Sequence, residues 1–144
     1  MLQRIQTVHL LSAAALLGIF LGLGEAWGRA AAEAAWLAEY AVPVGYALAG
    51  LAAALTLIAL FLYKNRSAQA KVIRAAQVAD LLLVIVLLVA VALAVFESET
   101  PLTSEYAVRA SAVLLPVAAY VFLNLARRGV RRDTELVRSM DRLR

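Results

Sequence analysis

Four long stretches without a charged side chain constrain what this chain can fold into. They cover residues 5–24, 41–63, 81–96 and 110–126, and the last two reach membrane length when Asp80 and Arg109 are included. A helix needs about 20 mainly apolar residues to cross a bilayer, and none of these runs alternates as a barrel strand would. We predict an all-α fold, a four-transmembrane-helix bundle. The predicted spans cover about 5–24, 42–63, 75–96 and 107–126.

Composition excludes most other classes of protein. Hydrophobic residues make up 64% of the 144 residues and charged residues only 17%, against about 45–50% and about 25% in soluble domains. An ordinary soluble enzyme, a disordered regulator and a nucleic-acid-binding domain are therefore excluded. There is no cysteine and only His9 as a histidine, so we expect no metal site and no cofactor.

The basic residues predict the orientation. All of them except Arg29 and Arg109 fall in the N-terminal stub, the loop 64–71 with Arg74 behind it, or the tail after the fourth span. Positive loops stay in the cytoplasm. We therefore predict that both termini are cytoplasmic and that the loop 97–105 lies on the opposite side.

Two segments next to the spans carry further expectations. The Ala-rich segment 25–41 is expected to be either a helix on the outer surface or an extension of the first span. Pro43 suits the first turn of the second helix, where its missing N–H has no consequence. Pro116 lies within the fourth span and predicts a bend that frees the carbonyl of Ala112.

Small residues predict where the helices approach each other. Gly18 and Gly22 share a face of the first helix, and Gly45 belongs to a similar small-residue face on the second. Such faces allow close backbone contact in lipid. The partner of the Gly18 and Gly22 face is either the second helix or a second copy of the chain, which would make a homo-oligomer.

A few polar residues lie at the predicted cytoplasmic end of the spans, and Gln6 lies one turn below one of them. The candidates for a polar layer are His9, Gln77, Asp80 and Asn124. Ionisable groups within membrane spans suggest functional sites. Two interpretations stay open: a structural layer in which Asp80 meets water or Arg74, and a site that binds a headgroup or holds a proton.

The tail after the membrane domain has a pattern of its own. We divide the chain into a transmembrane domain, 1–126, and a basic cytoplasmic C-terminal segment, 127–144, predicted as a short amphipathic helix. Its cations could attract anionic lipid, and its apolar stripe could contact the membrane, the bundle or a partner protein. The residues proposed for these contacts are Arg127, Arg128, Arg131, Arg132, Leu136, Met140 and Leu143.

Both ends of the chain carry a resemblance to a known family. The start, residues 1–7, and the end, residues 133–144, resemble the termini of short membrane proteins of unknown function found in Bacteroidetes-type bacteria. Members have four predicted spans and about this length, which implies a bacterial inner-membrane protein along the whole chain. The resemblance implies no activity or catalytic residue. His9 stands where a bulkier residue is expected. The patterned termini imply a cytoplasmic docking site.

We therefore predict an accessory, scaffold or docking subunit that acts through its cytoplasmic face and is not an enzyme. Its partners would be the bilayer and a protein at the termini, without nucleic acid. One alternative is a small oligomeric transporter or channel, which would be indicated by a midplane cavity lined by Thr56 or Tyr120. The other is a site in the polar layer for a lipid- or quinone-type ligand.

Overall fold

The computed structural model describes residues 2–23, 35–97 and 111–141, and the side chains of 5–23, 40–93, 111–136 and Ser139. This part of the chain is helical and contains no strand. Its four helices are α1 (Leu2–Gly22), α2 (Ala35–Phe61), α3 (Arg66–Glu97) and α4 (Leu114–Asp141). A 3₁₀ turn, Leu62–Lys64, follows α2. The all-helical prediction is confirmed for these residues.

Three of the helices are long and apolar enough to cross a membrane. The qualifying segments are Ile5–Gly22, Tyr40–Lys64 and Arg66–Leu93. Large apolar side chains on their outer faces are about half exposed, among them Leu11, Leu51 and Leu88, which in water would be an unfavourable surface. The predicted fourth span, 107–126, begins in residues outside the described part, and α4 starts only at Leu114.

The four helices pack side by side. α1 packs on α2 and α4, and α3 packs on the same two helices. Contacts between early residues of α1 or α3 and the second half of α4 show that neighbouring helices run in opposite directions; examples are Gln6 with Gly129 and Arg66 with Asp133. The starts of α1 and α3 therefore lie at the same end as the last turns of α4. We call this end, which carries Arg66, the basic end.

A tight hairpin joins α2 to α3 at the basic end. The sequence predicted a loop over 64–71, but α3 begins at Arg66. Asn65 explains the early start, because its side-chain oxygen accepts a hydrogen bond from the Ala68 amide at 3.1 Å, as an N-cap residue does. The Gln69 side chain then donates to the Ala59 carbonyl at 3.0 Å. That carbonyl is near the end of α2, where the helix supplies no further donors.

Pro43 lies inside α2 and not in its first turn, which corrects the prediction. The helix starts at Ala35, because the end of the segment 25–41 continues into it. Neighbouring helices and local adjustment can accommodate proline within a membrane helix. Residues 35–41 therefore belong to the second helix, neither extending the first span nor forming a separate surface helix. Residues 25–34 lie outside the described part.

The helix is interrupted just before Pro116, where the sequence predicted a bend; the bend itself stays a prediction. Residues 111 and 112 are helical, Val113 forms a turn, and α4 begins at Leu114. Pro116 has no N–H to donate to the carbonyl of Ala112, and the next amide, that of Val117, reaches the Val113 carbonyl only at 3.3 Å. The proline ring is fully buried. The interruption therefore lies at the start of α4, one turn before the proline.

The interior combines large residues with alanines. α1 buries Leu10 and Leu17, while α2 and α3 bury mainly alanine where they face each other, including Ala52 and Ala76. Small side chains let two helix backbones approach closely. α4 then runs without interruption through residues 126 and 127. The segment after 126 is helical as predicted, but it continues α4 and is not a separate helix.

Candidate functional site

Asp80 is the most unusual residue in the interior. It lies on α3 between Ala79 and the apolar stretch that starts at Leu81, and its side chain is fully buried. Neither carboxylate oxygen has a hydrogen-bond partner among the described residues. A buried acid in an apolar interior is unfavourable unless a proton, a cation or a hydrogen-bond donor meets it. Asp80 is therefore the group in this fold that most needs a partner.

Arg74 does not supply that partner, contrary to one of the two interpretations. On an α-helix the two side chains project about 120° apart, and Arg74 is exposed on the outer side of α3. Asp80 faces inward from the same helix. The pairing predicted from their short separation in sequence is therefore wrong.

Gln77 lies one turn before Asp80 and is also buried. Its side-chain oxygen accepts a hydrogen bond from Nη1 of Arg127 at 3.2 Å, while its Nε2 has no partner within the described chain. Arg127 lies at the middle of α4, so this bond joins α3 to α4. The side-chain amide of Gln77 is thus oriented by one hydrogen bond, and its NH₂ group can still donate to another acceptor.

α1, which also packs on α4, contributes Gln6 and His9. Gln6 is buried, and its Nε2 has no partner in the described structure. It fits against Gly129, where an added Cβ would lie 2.7 Å from Cγ of Gln6. The buried Nδ1 of His9 is likewise without a partner there, and the ring packs 5.9 Å from that of Phe122.

We call Gln6, His9, Gln77 and Asp80 the polar layer. Three of its residues were predicted, and Asn124, the fourth predicted residue, is half-buried on the same stretch of α4. The sequence drew attention to Gln6 only as a neighbour of His9 and gave no role to Gly129 or Phe122. Gln6 precedes His9 by almost one helical turn, which places both residues on one face of the helix. This spacing could have identified Gln6 as a member of the layer from the sequence.

The unpartnered atoms of the polar layer are chemically complementary. The two glutamine amides offer N–H donors, and Asp80 offers two oxygens. Gln77 and Asp80 lie about one turn apart on α3, so a bound group with both a donor and an acceptor could satisfy these two together. No cluster of three or more His, Cys, Asp or Glu side chains that could hold a metal occurs within the described residues.

The predicted helix-packing glycines divide into two groups. Gly45 on α2 is buried. Gly18 and Gly22 are exposed, and an added Cβ at either would have no atom within 4 Å. α1 buries the face with Leu10 and Leu17 instead. Contact between the Gly18 and Gly22 face and the second helix is therefore not made, while contact with a second copy stays a prediction.

The predicted tail contacts are also divided by the structure. Arg127 bonds to Gln77, whereas Arg128, Arg131 and Arg132 are exposed. Leu136 is 48% exposed. The side chain of Met140, and Leu143 as a whole, lie outside the described residues. Arg127 therefore connects two helices, whereas the other three arginines face outward.

Thr56, the residue proposed to line a transport cavity, is engaged locally. It is fully buried, and its hydroxyl donates to the Ala52 carbonyl one turn earlier at 2.7 Å. Tyr120 is half-buried on α4. The Thr56 hydroxyl is therefore not directed toward a cavity.

The fold and the polar layer define a class: a small α-helical protein with membrane-like helices and buried polar groups near one end. Residues 2–143 match the family described as domain of unknown function DUF4293. The chain belongs to this family, which confirms the resemblance to a family of unknown function along nearly its whole length. No curated protein and no solved structure matches the chain. The Bacteroidetes origin and the four-span description stay predictions.

Proposed function

We propose that the protein crosses the bacterial inner membrane four times and keeps both termini in the cytoplasm. Its support is the basic end, where the starts of α1 and α3 meet the last turns of α4. Antiparallel neighbours bring a chain with four spans back to the side on which it started. The basic loops and tail lie at this end, as the positive-inside rule requires of a cytoplasmic face.

We further propose that the protein is a non-enzymatic membrane protein that binds a small ligand in the polar layer. One observation carries this: Asp80 is fully buried and neither of its oxygens has a partner among the described residues. Removing a charge from water without compensation is costly, so a purely structural role would favour an apolar residue at this position. The chain keeps an acid there.

The ligand must supply donors to Asp80 and acceptors to the amides of Gln6 and Gln77. A hydroxyl headgroup on an apolar body, as in a hydroxyl-bearing lipid or the reduced form of a quinone-type molecule, both donates and accepts and has this chemistry. Such a ligand would come from the bilayer, and its apolar part would suit the surrounding leucines. Ordered water is the competing occupant, because water also donates and accepts.

The test compares Asp80→Asn with Thr56→Val. Asparagine preserves the shape of the side chain, and Thr56 is a buried polar residue whose hydroxyl is satisfied within its own helix. Proteins purified from membranes in mild detergent would be analysed by native mass spectrometry. We expect a bound small molecule on the wild type and on Thr56→Val, and at least tenfold lower occupancy, about 1.4 kcal/mol, in Asp80→Asn.

Two results would overturn the ligand proposal. A wild-type protein that carries no small molecule from native membranes would leave only the structural layer. Equal occupancy in wild type and Asp80→Asn would place the ligand elsewhere. Thermal unfolding of the three proteins controls for folding, since asparagine at position 80 removes a buried acid and should not lower stability.

A second candidate is the accessory or docking role, favoured by the C-terminal turns of α4. Leu136 is 48% exposed there, on a helix that also exposes Arg131 and Arg132. An apolar side chain bordered by cations suits an acidic partner protein. Truncation after Gly129 would be a poor test, because Val130 is buried and belongs to the core.

Substitution of Leu136 avoids that problem. Affinity purification in mild detergent would compare wild type with Leu136→Ser. We expect a stoichiometric partner on the wild type that is lost from the variant without a change in unfolding temperature. Recovery of the same proteins with both would rule out docking at this side chain.

A further inference from the structure

An open groove runs along the outer face of α2 and α3, away from the polar layer. Its volume is about 490 Å³. The α2 wall is formed by Leu48, Leu51 and Leu55, and the α3 wall includes Val78 and Leu82. Leu51, Val78 and Leu82 are each about half exposed. Both walls belong to helices that are long and apolar enough to span a membrane, so this groove would face lipid.

Two cations occupy one end of the groove. Lys71 and Arg74 line it and are separated by almost one turn of α3, which puts them on one face of the helix. Both are exposed, and no ion pair or hydrogen bond to either is present among the described side chains. A groove with apolar walls and a cationic end has the polarity of a phospholipid with a negatively charged head.

The length of the groove agrees with one leaflet. From Lys71 to Leu82, α3 rises about 16 Å, at 1.5 Å per residue. Half of a typical hydrocarbon core is about 15 Å. Lys71 and Arg74 lie toward the basic end of α3, so the cations would meet headgroups on the same side as the tail of α4. The apolar walls would then extend to about the middle of the bilayer.

We propose that this groove binds one phospholipid with a net-negative head, its phosphate held by Lys71 and Arg74 and its acyl chains lying between α2 and α3. The guanidinium of Arg74 provides paired donors that match phosphate oxygens. Leu48, Leu51 and Leu55 provide the contact for the chains. The site is independent of the ligand proposed for the polar layer, because Asp80 and Gln77 do not line the groove.

The test uses two double variants that remove the same charge. Lys71→Gln with Arg74→Gln changes the groove, whereas Arg131→Gln with Arg132→Gln changes two exposed cations on α4. Each full-length protein would be incubated with an equal mixture of phosphatidylglycerol and phosphatidylcholine of matched chain length. Native mass spectrometry would then count the retained lipids.

We expect the wild type to retain phosphatidylglycerol in preference to phosphatidylcholine. Each cation near an anionic head contributes about a fivefold gain in affinity. The groove double variant should therefore bind about 25-fold less phosphatidylglycerol. The α4 double variant should lose clearly less, because Arg131 and Arg132 can attract anionic lipid only at the surface and do not line the groove. Val78→Trp fills the groove without changing a charge and should lower retention as well.

Four outcomes would overturn the proposal. Equal retention of the two lipids by the wild type would mean that the groove does not select charge. Equal losses in the two double variants would mean a general charge effect. Unchanged retention in Val78→Trp would place the lipid outside the groove, and a polypeptide retained there in place of lipid would mean a protein interface. Each of these outcomes leaves the result for Asp80→Asn unaffected.

Discussion

Arg127 of α4 donates a hydrogen bond to the side-chain oxygen of Gln77 on α3 at 3.2 Å. The arginine belongs to the positive tail, and the glutamine belongs to the buried polar layer. This contact joins the region proposed to set the orientation to the region proposed to bind a ligand. It also distinguishes Arg127 from Arg128, which follows it directly in the sequence and is exposed.

We predict that Arg127→Ala destabilises the protein more than Arg128→Ala does. Loss of a hydrogen bond to a charged donor costs about 1.5–3 kcal/mol, and the partial exposure of Arg127 reduces this to about 1–2 kcal/mol. An exposed arginine should contribute within about 0.5 kcal/mol. Denaturant unfolding in detergent would measure both free energies of unfolding. Equal losses would show that only net charge matters.

Gly129 provides a second prediction, because Gln6 occupies the space beside it. A Cβ added at Gly129 would lie 2.7 Å from Cγ of Gln6, so Gly129→Ala must displace the glutamine. Overpacking costs about 1–3 kcal/mol, partly offset by the better helix propensity of alanine, about 1 kcal/mol. We expect a net loss of about 1 kcal/mol, and at most about 2 kcal/mol, in the free energy of unfolding.

Two further variants control the Gly129→Ala experiment. Adding Gln6→Ala removes the obstructing atoms and should restore most of the stability. Gly50→Ala places its Cβ where no atom lies within 4 Å, so it should be neutral or stabilising. A Gly129→Ala protein as stable as the wild type would contradict the packing of α1 against α4.

The ion pair between Arg66 and Asp133 connects the start of α3 to the tail of α4. Nη1 of Arg66 lies 3.3 Å from Oδ2 of Asp133. The same nitrogen donates a hydrogen bond to the backbone carbonyl of Asp133, also at 3.3 Å. Partly exposed pairs contribute about 1 kcal/mol at most. We therefore predict that Asp133→Ala leaves global unfolding almost unchanged but loosens the last turns of α4.

Hydrogen exchange followed by mass spectrometry would detect this local change. Amides in 130–141 should exchange faster in Asp133→Ala than in the wild type, because local opening needs less free energy than global unfolding. Glu135→Ala is the control, as Glu135 is exposed on the same helix. Equal exchange in the two variants would show that the ion pair does not hold the tail.

The proposed orientation can be tested by cysteine labelling, since the chain contains no cysteine. We predict that a membrane-impermeant maleimide labels a Thr103→Cys variant in intact spheroplasts. A Ser139→Cys variant should react only after permeabilisation. An even number of spans returns the C-terminus to the side of the N-terminus, and the basic residues predict that this side is cytoplasmic. Labelling of the Ser139→Cys variant in intact spheroplasts would place the C-terminus outside the cytoplasm and would contradict the proposed topology.

The local sequence predicted the helices well but misplaced several of their ends. The loop assigned to 64–71 is helical from Arg66, because Asn65 caps α3 and Gln69 bonds back to α2. Pro43 was assigned to a helix start although it lies inside α2. Hydropathy reports which residues prefer lipid, whereas the ends of helices depend on capping bonds that form only in the folded hairpin.

The polar layer was only partly predictable for a similar reason. Asp80 and Gln77 stand out because polar residues are rare in such a sequence, and the structure buries both. Their depth along the helices follows from counting residues, but the direction of each side chain depends on packing. Arg74 was therefore named beside water as a partner of Asp80, although it lines the outer groove of α2 and α3. Gly129 acquired its importance only from contact with Gln6.

The sequence alone determined the class of fold, because long apolar runs satisfy their backbone only as helices in lipid. It also determined which polar residues were available for a site. The tertiary structure decided which of them share a buried layer and which face outward. In the folded chain α1 packs on α4, and Gly18 and Gly22 are exposed on the outer face of α1. Such choices depend on side chains distant in sequence, whose fit cannot be obtained from the periodicity of one helix.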